Sequence, residues 1–422
     1  MKRMLVNLPV VVISTIVALI VCEAVLRYYP TLVSEPVLME FPKPLRRDIA
    51  SRLGLPLKQA RRCISPAERY DKGPELCLAY PDFEWVQRVD EIDRQYGARE
   101  LTPQDSNGFC NTRDKAQRNH NDIVFIGDSF TWCTAVRPED TFAARLETAS
   151  GYTTYNLGVP GIGPYEYVEI LRRFGLKYAP RIVVMSIYEG NDLRDGIRYQ
   201  KYVDEERAAP ASGREPDGAA GFSILKHLRN SSYSLSYIGA ALEALSKRFH
   251  EEKINFHYRV KSSGNTVPMN VTNADTDEVK NARLLAQGKV SLKVWRRALV
   301  EFAKLAREYR FEPFVVYIPS AYTAYASSVV FEDDAAAAAV RSQSDLQRQY
   351  LAGLARELGL EFLDTTHYLQ DAVQNSPLAY YPANVHLTEQ GHALIAMALE
   401  PRLRAIMDKS VEKGKKPQTE HR

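Results

Sequence analysis

Short apolar runs alternate with segments of helical periodicity from about residue 120 onward. The apolar runs are rich in β-branched residues, which is typical of strands buried in a parallel sheet. The segments between them carry apolar residues three or four positions apart, which predicts helices with one buried face. We predict strands at 123–126, 153–157, 182–187, 314–318 and 361–363. We predict helices at 138–150, 164–177, 290–309, 333–358 and 389–407. This alternation indicates a doubly wound α/β sheet.

Two regions depart from this pattern. Residues 30–118 are Pro-rich, charged and weakly periodic, which predicts a stalk or an irregular layer packed on the main domain. The main domain should then occupy residues 119–408, with an insertion at about 200–285. We expect the insertion to be mainly helical and either to cover a site or only to add surface. Residues 409–422 are predicted to be a disordered tail.

The N-terminus resembles a membrane anchor. Lys2 and Arg3 precede an uncharged run from Met4 to Cys22, and these 19 residues are just enough to cross a hydrocarbon core. The positive residues before the run predict that the N-terminus stays inside. We therefore predict a single-pass signal anchor over 1–29 in the inner or plasma membrane, with the main domain extracytoplasmic (periplasmic). A cleaved signal peptide is the alternative, although the run ends without an Ala-x-Ala site.

Composition narrows the function classes. A net charge of +3 gives no electrostatic case for nucleic acid. Outside the apolar run, Cys63, Cys77, Cys110 and Cys133 could form two disulfides in an oxidising compartment. Cys63 with Cys77 is the local pairing, but the sequence does not fix the connectivity. The chain has no zinc-type cysteine or histidine spacing, and we expect no metal and no organic cofactor.

Candidate chemistry begins where the first predicted strand ends, at Gly127-Asp128-Ser129. Asp128 and Ser129 suit the cap of a following helix, whose dipole would favour negative charge near the serine. A serine that only caps a helix is the simpler interpretation. However, Gly161 follows the second strand, Asn191 follows the third, and His386 precedes the last helix. Acyl transfer needs this set: a hydroxyl, an imidazole base and donors for an oxyanion.

These stretches resemble the motif blocks of the SGNH (GDSL-type) hydrolase family. Gly127-Asp128-Ser129 matches the first block, residues 156–161 resemble the second, and Gly190-Asn191-Asp192 resembles the third. His386 lies where the last block places the catalytic histidine. The resemblance covers about 120–195 and 312–405, and it implies a flavodoxin-like three-layer α/β/α fold with serine ester chemistry.

The resemblance also assigns roles. By match, Ser129 is the nucleophile and His386 the base, while the Ser129 amide, Gly161 and Asn191 form the oxyanion hole. An anchor followed by an extracytoplasmic domain is similar to membrane-bound relatives that add or remove O-acetyl groups on exported polysaccharide.

The family usually has an aspartate two or three residues before the histidine, where this chain has Asn384 and Ala383. An asparagine can orient the imidazole but cannot stabilise its positive form by charge. Three outcomes follow. A Ser-His dyad could operate with Asn384 or a backbone carbonyl orienting the ring, a distant carboxylate such as Asp364 could serve, or the site could be weakened and left with a binding role.

Other residues near these motifs have alternative interpretations. His392 is a rival base, but its place in the last helix favours a structural role. Asp128 is expected to hold the turn, and Cys133 to be buried or disulfide-bonded. Trp132 and Tyr188 flank the proposed site and could line a sugar or acyl pocket, although core packing explains them equally well.

We expect a membrane-anchored, extracytoplasmic serine ester hydrolase or O-acyltransferase. Its substrate would be an acylated, in particular O-acetylated, carbohydrate, and its partners would include polysaccharide-assembly proteins. The alternative is a catalytically weakened member that binds glycan or scaffolds a polysaccharide-export assembly. A lipid-directed esterase is a third possibility, based only on closeness to the membrane.

Overall fold

The structure of the protein is a computed structural model that divides into two compact units. Met1–Lys58 and Pro210–Asn255 form one unit, and Gln59–Ala209 and Phe256–Arg422 form the other. The predicted layer at 30–118 and the predicted insertion at 200–285 are therefore each split between units. The structure describes residues 2–34, 37–38, 41–42, 45, 48–49, 52–53, 61–64, 76–79, 84–86, 89–99, 101–208, 231–249, 256–262, 264–273, 276–370 and 378–415.

The first unit contains the helices Lys2–Tyr28 and Tyr233–Phe249 and the 3-10 turn Pro30–Leu32. Leu26 and Tyr233 share a small apolar cluster in this unit. The first helix coincides with the predicted anchor. Within the described part of the chain, no helix combines the length and apolar character that a bilayer crossing needs.

A five-stranded parallel sheet forms the centre of the second unit. Its strands are β1 Ile123–Ile126, β2 Thr154–Asn156, β3 Ile182–Tyr188, β4 Glu312–Ile318 and β5 Glu361–Asp364. Their order across the sheet is β5-β4-β3-β1-β2. From the other edge this order is 2-1-3-4-5, as in flavodoxin-like sheets. The predicted strands and the parallel α/β fold class are confirmed.

Alternate residues of the strands face two separate cores. Phe125 of β1 belongs to a core that includes Phe142 and Leu399 from helices on one face. Its neighbour Val124 belongs to a second core that includes Val168 and Leu299 from helices on the other face. Both faces of the sheet are thus covered, which explains why its central strands β1 and β3 are almost wholly apolar.

The helices of this unit agree in position with most predictions. The α-helices are Glu91–Arg94, Phe142–Ser150, Pro164–Ile170, Asp192–Ala208, Glu278–Ala286, Val294–Tyr309, Ala321–Ala324, Asp334–Leu358, Thr366–Gln370 and Glu389–Lys415. Shorter turns are Arg113–Gln117, Pro138–Asp140, Leu171–Gly175 and Leu176–Tyr178. The last helix continues to Lys415, so the prediction of disorder is wrong for 409–415. Lysine and glutamate are good helix formers, and this stretch contains both. Residues 416–422 lie outside the described residues.

The predicted insertion contains strands as well as helices, although helices hold most of its described residues in regular structure. Tyr258–Ser262, Asn265–Met269 and Val329–Phe331 form a three-stranded antiparallel sheet, and Thr272–Asn273 pairs with Thr276–Asp277. Tyr258 and Val260 are buried while Arg259 and Lys261 are exposed, which is the period of two expected of a half-buried strand. Gly264, at φ +81°, makes the turn between the first two strands.

Two antiparallel pairs lie before the central sheet in the chain. Arg61–Ile64 pairs with Leu76–Ala79, and Glu84–Val86 pairs with Leu101–Pro103. Cys63 lies opposite Cys77 in the first pair. Their side chains lie outside the described residues, so the disulfide between them stays a prediction.

Candidate active site

Ser129 lies in a tight turn that follows β1. Gly127 begins this turn, and a Cβ at that position would lie 2.0 Å from the Thr131 hydroxyl oxygen, so a side chain does not fit. Residues 128–136 form successive turns, and the helix predicted to start at Ser129 is absent. Ala135 adopts a left-handed φ of 62°, which ends helical geometry, and Cys133 is joined to Cys110. The helix-dipole argument therefore does not apply to Ser129.

The structure brings Ser129 and His386 into direct contact. The serine Oγ lies 2.8 Å from His386 Nε2, and both residues are buried. Burial lowers the pKa of His386 to about 4, so the imidazole is neutral near pH 7. A neutral ring with its proton on Nδ1 leaves Nε2 free to accept the serine proton. This pair has the geometry of a nucleophile and its base.

Asn384 orients the imidazole from the other side. Its Oδ1 is hydrogen-bonded to His386 Nδ1, and its backbone oxygen lies 3.1 Å from the same nitrogen. These two acceptors favour the Nδ1–H tautomer. Asp364, the distant carboxylate considered above, instead accepts from the Thr366 amide at the start of a helix and faces Arg348. Of the sequence-based alternatives, the one with Asn384 as orienting residue describes the observed contacts.

Asp93 also supports the histidine loop, and the sequence analysis missed it. This aspartate is fully buried in the short helix Glu91–Arg94. Its Oδ1 accepts the Ala383 amide at 2.8 Å, and its carboxyl is also hydrogen-bonded to the backbone of Asn384. Burial, with the nearby charge of Asp90, raises the pKa of Asp93 to about 6. No motif marks this position, because the contact joins residues 290 positions apart.

The predicted oxyanion groups lie on the strand ends that flank Ser129. Gly161 follows β2, is exposed and has a φ of 76°, which glycine adopts readily. Its carbonyl oxygen accepts from Arg198 Nη2 at 2.8 Å. Asn191 follows β3 and is buried. Because β1 lies between β2 and β3 in the sheet, both residues reach the edge where Ser129 lies.

In this structure the amide of Asn191 is held by two carboxyl groups. Its Nδ2 donates to Asp195 Oδ2 at 3.2 Å, and its side chain is also hydrogen-bonded to that of Asp128. Use of Asn191 as an oxyanion donor therefore requires one of these bonds to be exchanged for a bond to substrate. Burial, with the nearby charge of Asp195, raises the pKa of Asp128 above its ordinary value.

Asp128 holds the serine turn, as expected. Its Oδ1 accepts from the Phe130 amide at 2.9 Å, and its backbone oxygen accepts from the Trp132 amide at 3.0 Å. The loop after β2 is tied to this turn by Asn156, whose Nδ2 donates to the Thr131 carbonyl at 2.6 Å. The two loops thus form one hydrogen-bonded support beneath the nucleophile.

The turn that carries Asn191 is held by one distant helix, Asp334–Leu358. Gln343 and Gln347 both donate to the Glu189 carbonyl, at 2.9 and 3.0 Å. Asp192 Oδ2 accepts a hydrogen bond from the Tyr188 amide at 2.8 Å and so closes this turn. These bonds satisfy buried backbone polar groups of the turn and so fix the position of the Asn191 backbone.

The side chains of Trp132 and Tyr188 are both buried. Trp132 packs with Cys110 and Cys133 in a small core. The Tyr188 hydroxyl donates to Glu278 at 2.6 Å. Phe130 is stacked between the rings of Tyr188 and His386, at centroid distances of 3.4 and 4.6 Å. Core packing, the second interpretation given above, is what the structure shows for both residues.

The other candidates for direct chemistry have structural environments. His392 is buried, its Nδ1 accepts the Phe142 amide at 3.3 Å, and burial lowers its pKa to about 3. It therefore helps to start the helix at Phe142 and does not touch Ser129. Cys133 is disulfide-bonded to Cys110 and is not a free thiol.

Comparisons with known proteins add a family likeness but little detail. No family model and no curated protein matches the chain. Among solved structures, it is similar to a lipolytic protein of the G-D-S-L family from Desulfitobacterium hafniense, at 14% identity and a TM-score of 0.31, covering 66% of this chain and 97% of that one. It is also similar to a catalytic mutant of an acetylxylan esterase from Geobacillus stearothermophilus, at 14% identity and a TM-score of 0.35, covering 68% and 94%. With identities and TM-scores this low, the function has to be argued from the chain's own residues.

Proposed function

We propose that this protein is a serine hydrolase of carboxylic esters, with Ser129 as nucleophile and His386 as general base. The observation that carries the proposal is the 2.8 Å contact between Ser129 Oγ and a buried, neutral imidazole. Asn384 fixes the tautomer that this chemistry needs. Proton transfer by a group positioned in this way typically contributes about 100- to 10,000-fold in rate.

In the first half of the reaction, Ser129 Oγ attacks the ester carbonyl carbon and its proton passes to His386 Nε2. The carbonyl oxygen becomes an oxyanion, which accepts hydrogen bonds from the amides of Ser129 and Gly161 and from Asn191. The tetrahedral intermediate collapses, and the imidazolium gives its proton to the leaving alkoxide. The product of this half is an acyl-enzyme on Ser129.

In the second half, a hydroxyl attacks the acyl-enzyme while His386 removes its proton. Water as acceptor gives hydrolysis, and a sugar hydroxyl gives acyl transfer. The proton then returns to Ser129 Oγ as its ester bond breaks, and the enzyme is restored. Exclusion of water from the site would decide between the two outcomes.

The substrate class and the cellular location of the protein can also be proposed. We infer an O-acetylated carbohydrate substrate, because the four motif blocks resemble a family with members of that kind. The Cys110–Cys133 disulfide supports an oxidising, extracytoplasmic compartment. The charge pattern of residues 1–29 supports an anchor with the N-terminus inside. Polysaccharide-assembly proteins would be the partners of an enzyme in that position.

Covalent labelling of the full-length protein with a fluorophosphonate, followed by peptide mass spectrometry, tests the proposal. We expect an adduct on Ser129 that is lost in His386→Ala and kept in His367→Ala, a change at an exposed histidine. Acetylated monosaccharides would then be screened as substrates. Absence of the adduct on folded protein would contradict the proposal. It would favour a silent glycan-binding or scaffold protein, a reading that the engaged Asn191 amide also supports.

A further inference from the structure

The site lacks the negative charge that usually faces a catalytic histidine. His386 Nδ1 contacts two neutral acceptors, the side chain and the backbone oxygen of Asn384. In a serine triad the aspartate both orients the ring and stabilises the imidazolium that forms during reaction. Asn384 performs the first task only. The structure therefore raises the question of where the second comes from.

A carboxylate lies one hydrogen bond behind Asn384. Asp93 accepts the Ala383 amide at 2.8 Å and is hydrogen-bonded to the backbone of Asn384, two positions before His386. Asp93 is fully buried, and its Oδ2 has no hydrogen-bond partner among the described residues. A carboxylate in such a dry place acts over a longer distance than one in water.

We infer that Asp93 supplies the missing charge: it fixes the 383–384 backbone behind Asn384 and stabilises protonated His386 through those peptide groups. Asp93 is thus a positioning residue of the proposed esterase site. The inference rests on the proposed function for its kinetic consequences. Its electrostatic content, a carboxylate acting on His386, can be tested whether or not the protein is an enzyme.

Several titratable groups surround Asp93 and His386 and bear on the pH dependence of the site. Asp90 lies on the same segment as Asp93 and raises its pKa, and the Tyr381 hydroxyl lies close enough to feel the Asp93 charge. His386 faces Ser129, the Phe130 ring and Asn384, and its charge acts on His392. On the serine side, the Ser129 hydroxyl also lies 3.4 Å from Asp128 Oδ2. Asp93 becomes charged above a pKa of about 6, whereas His386 is already neutral above about 4. Because burial also raises the pKa of Asp128 beside Ser129, a loss of rate between these values reports Asp93 only where the Asp93→Asn variant lacks it.

Asp93→Asn removes the charge and keeps an oxygen that can accept the Ala383 amide. Because a carboxylate one hydrogen bond behind Asn384 shifts the pKa of His386 less than one in contact with Nδ1 would, we expect kcat on p-nitrophenyl acetate to fall by up to about 10-fold above pH 7 with KM little changed. The wild type should fall to the variant's level as pH drops through about 6. The variant should lack that step. Adding Asn384→Asp to Asp93→Asn should restore the rate, since the charge then faces Nδ1 directly.

Asp122→Asn is the matched control, because this carboxylate precedes β1 at the end of the sheet opposite to Ser129. It should leave the pH profile unchanged. A loss in Asp93→Asn that is equal at every pH and not rescued by Asn384→Asp would show that Asp93 only braces the loop. An unchanged rate would also overturn the inference.

Titration of the His386 ring by NMR in the full-length protein separates this inference from the proposed function. Asp93→Asn should lower the pKa of His386, and in the wild type the ring signals should show a second inflection near pH 6. These results would support the inference even if no ester is hydrolysed. If His386 titrates identically in both proteins and shows no second inflection, the inference is wrong. If the variant does not fold, the presence or absence of the second inflection in the wild type is the test.

Discussion

Asn384→Asp places a carboxylate in hydrogen-bond contact with His386 Nδ1. The pKa of His386 is now held at about 4 by burial, with the backbone of Asn384 as the opposing influence. An opposite charge at this distance typically raises a pKa by about 1–3, which is equivalent to about 1.4–4 kcal/mol of imidazolium stabilisation. Orientation is already provided by Asn384, so only the charge is gained. We expect kcat to rise by roughly 10- to 100-fold at pH 8, less than the ~10,000-fold that a triad loses when its aspartate becomes asparagine.

The assay is the pH dependence of kcat/KM on p-nitrophenyl acetate. The acid limb should move to higher pH in Asn384→Asp, because the base becomes protonated more readily. Asn384→Ala is the control: it removes the side-chain acceptor from Nδ1 and should lower kcat at every pH. If Asn384→Asp moves neither the acid limb nor kcat in a folded protein, Asn384 does not control the base, and the mechanism proposed above is wrong.

Three further predictions follow from individual contacts. Asn191→Ala removes one oxyanion donor and should lower kcat by about 100- to 1,000-fold with little change in KM, measured by steady-state kinetics; an unchanged kcat would remove Asn191 from the oxyanion hole. Loss of the Cys110–Cys133 disulfide, which closes a separation of 23 residues, should destabilise the protein by about 3 kcal/mol, measured by urea unfolding of a Cys110→Ser, Cys133→Ser variant against wild type without reductant. Burial raises the pKa of Asp93 from 3.8 to about 6, so the folded protein binds this proton more tightly and loses stability as pH rises from about 4 to 6. Asp93→Asn should therefore remove up to about 3 kcal/mol of that loss at pH 7, and a variant that is much less stable than wild type at pH 7 would contradict this sign.

The central sheet could be predicted because β1 and β3 are almost wholly apolar and the strands are separated by segments of helical periodicity. Ser129, Asn191 and His386 could be placed for the same reason, since each adjoins a regular element. The end of β1 was also clear, but the structure after Ser129 was not. The sequence from Asp128 is compatible with a helix, and only the left-handed Ala135 and the Cys110 partner of Cys133 show why turns form instead.

Other features depended on contacts that a single sequence does not reveal. The strand Tyr258–Ser262 did carry a sequence signal, because apolar and polar residues alternate there. However, it is only five residues long and lies in a polar region. Trp132 and Tyr188 flank the motifs along the chain, yet their side chains turn into the core. Asp93 carried no signal, because its role depends on a hydrogen bond to Ala383 across 290 positions.

An asparagine beside the base has a consequence for the pH range of the site. A carboxylate in contact with Nδ1 would raise the pKa of His386 and leave more of the base protonated in mildly acidic solution. With Asn384 there, the imidazole stays neutral down to about pH 4. Asp93 acts from one hydrogen bond farther away, so it gives the imidazolium less stabilisation but also draws less protonation to the resting base. On this reasoning the site has a lower maximal kcat, but its base remains neutral in mildly acidic solution. Maximal kcat also requires charged Asp93, so we expect it only above about pH 6.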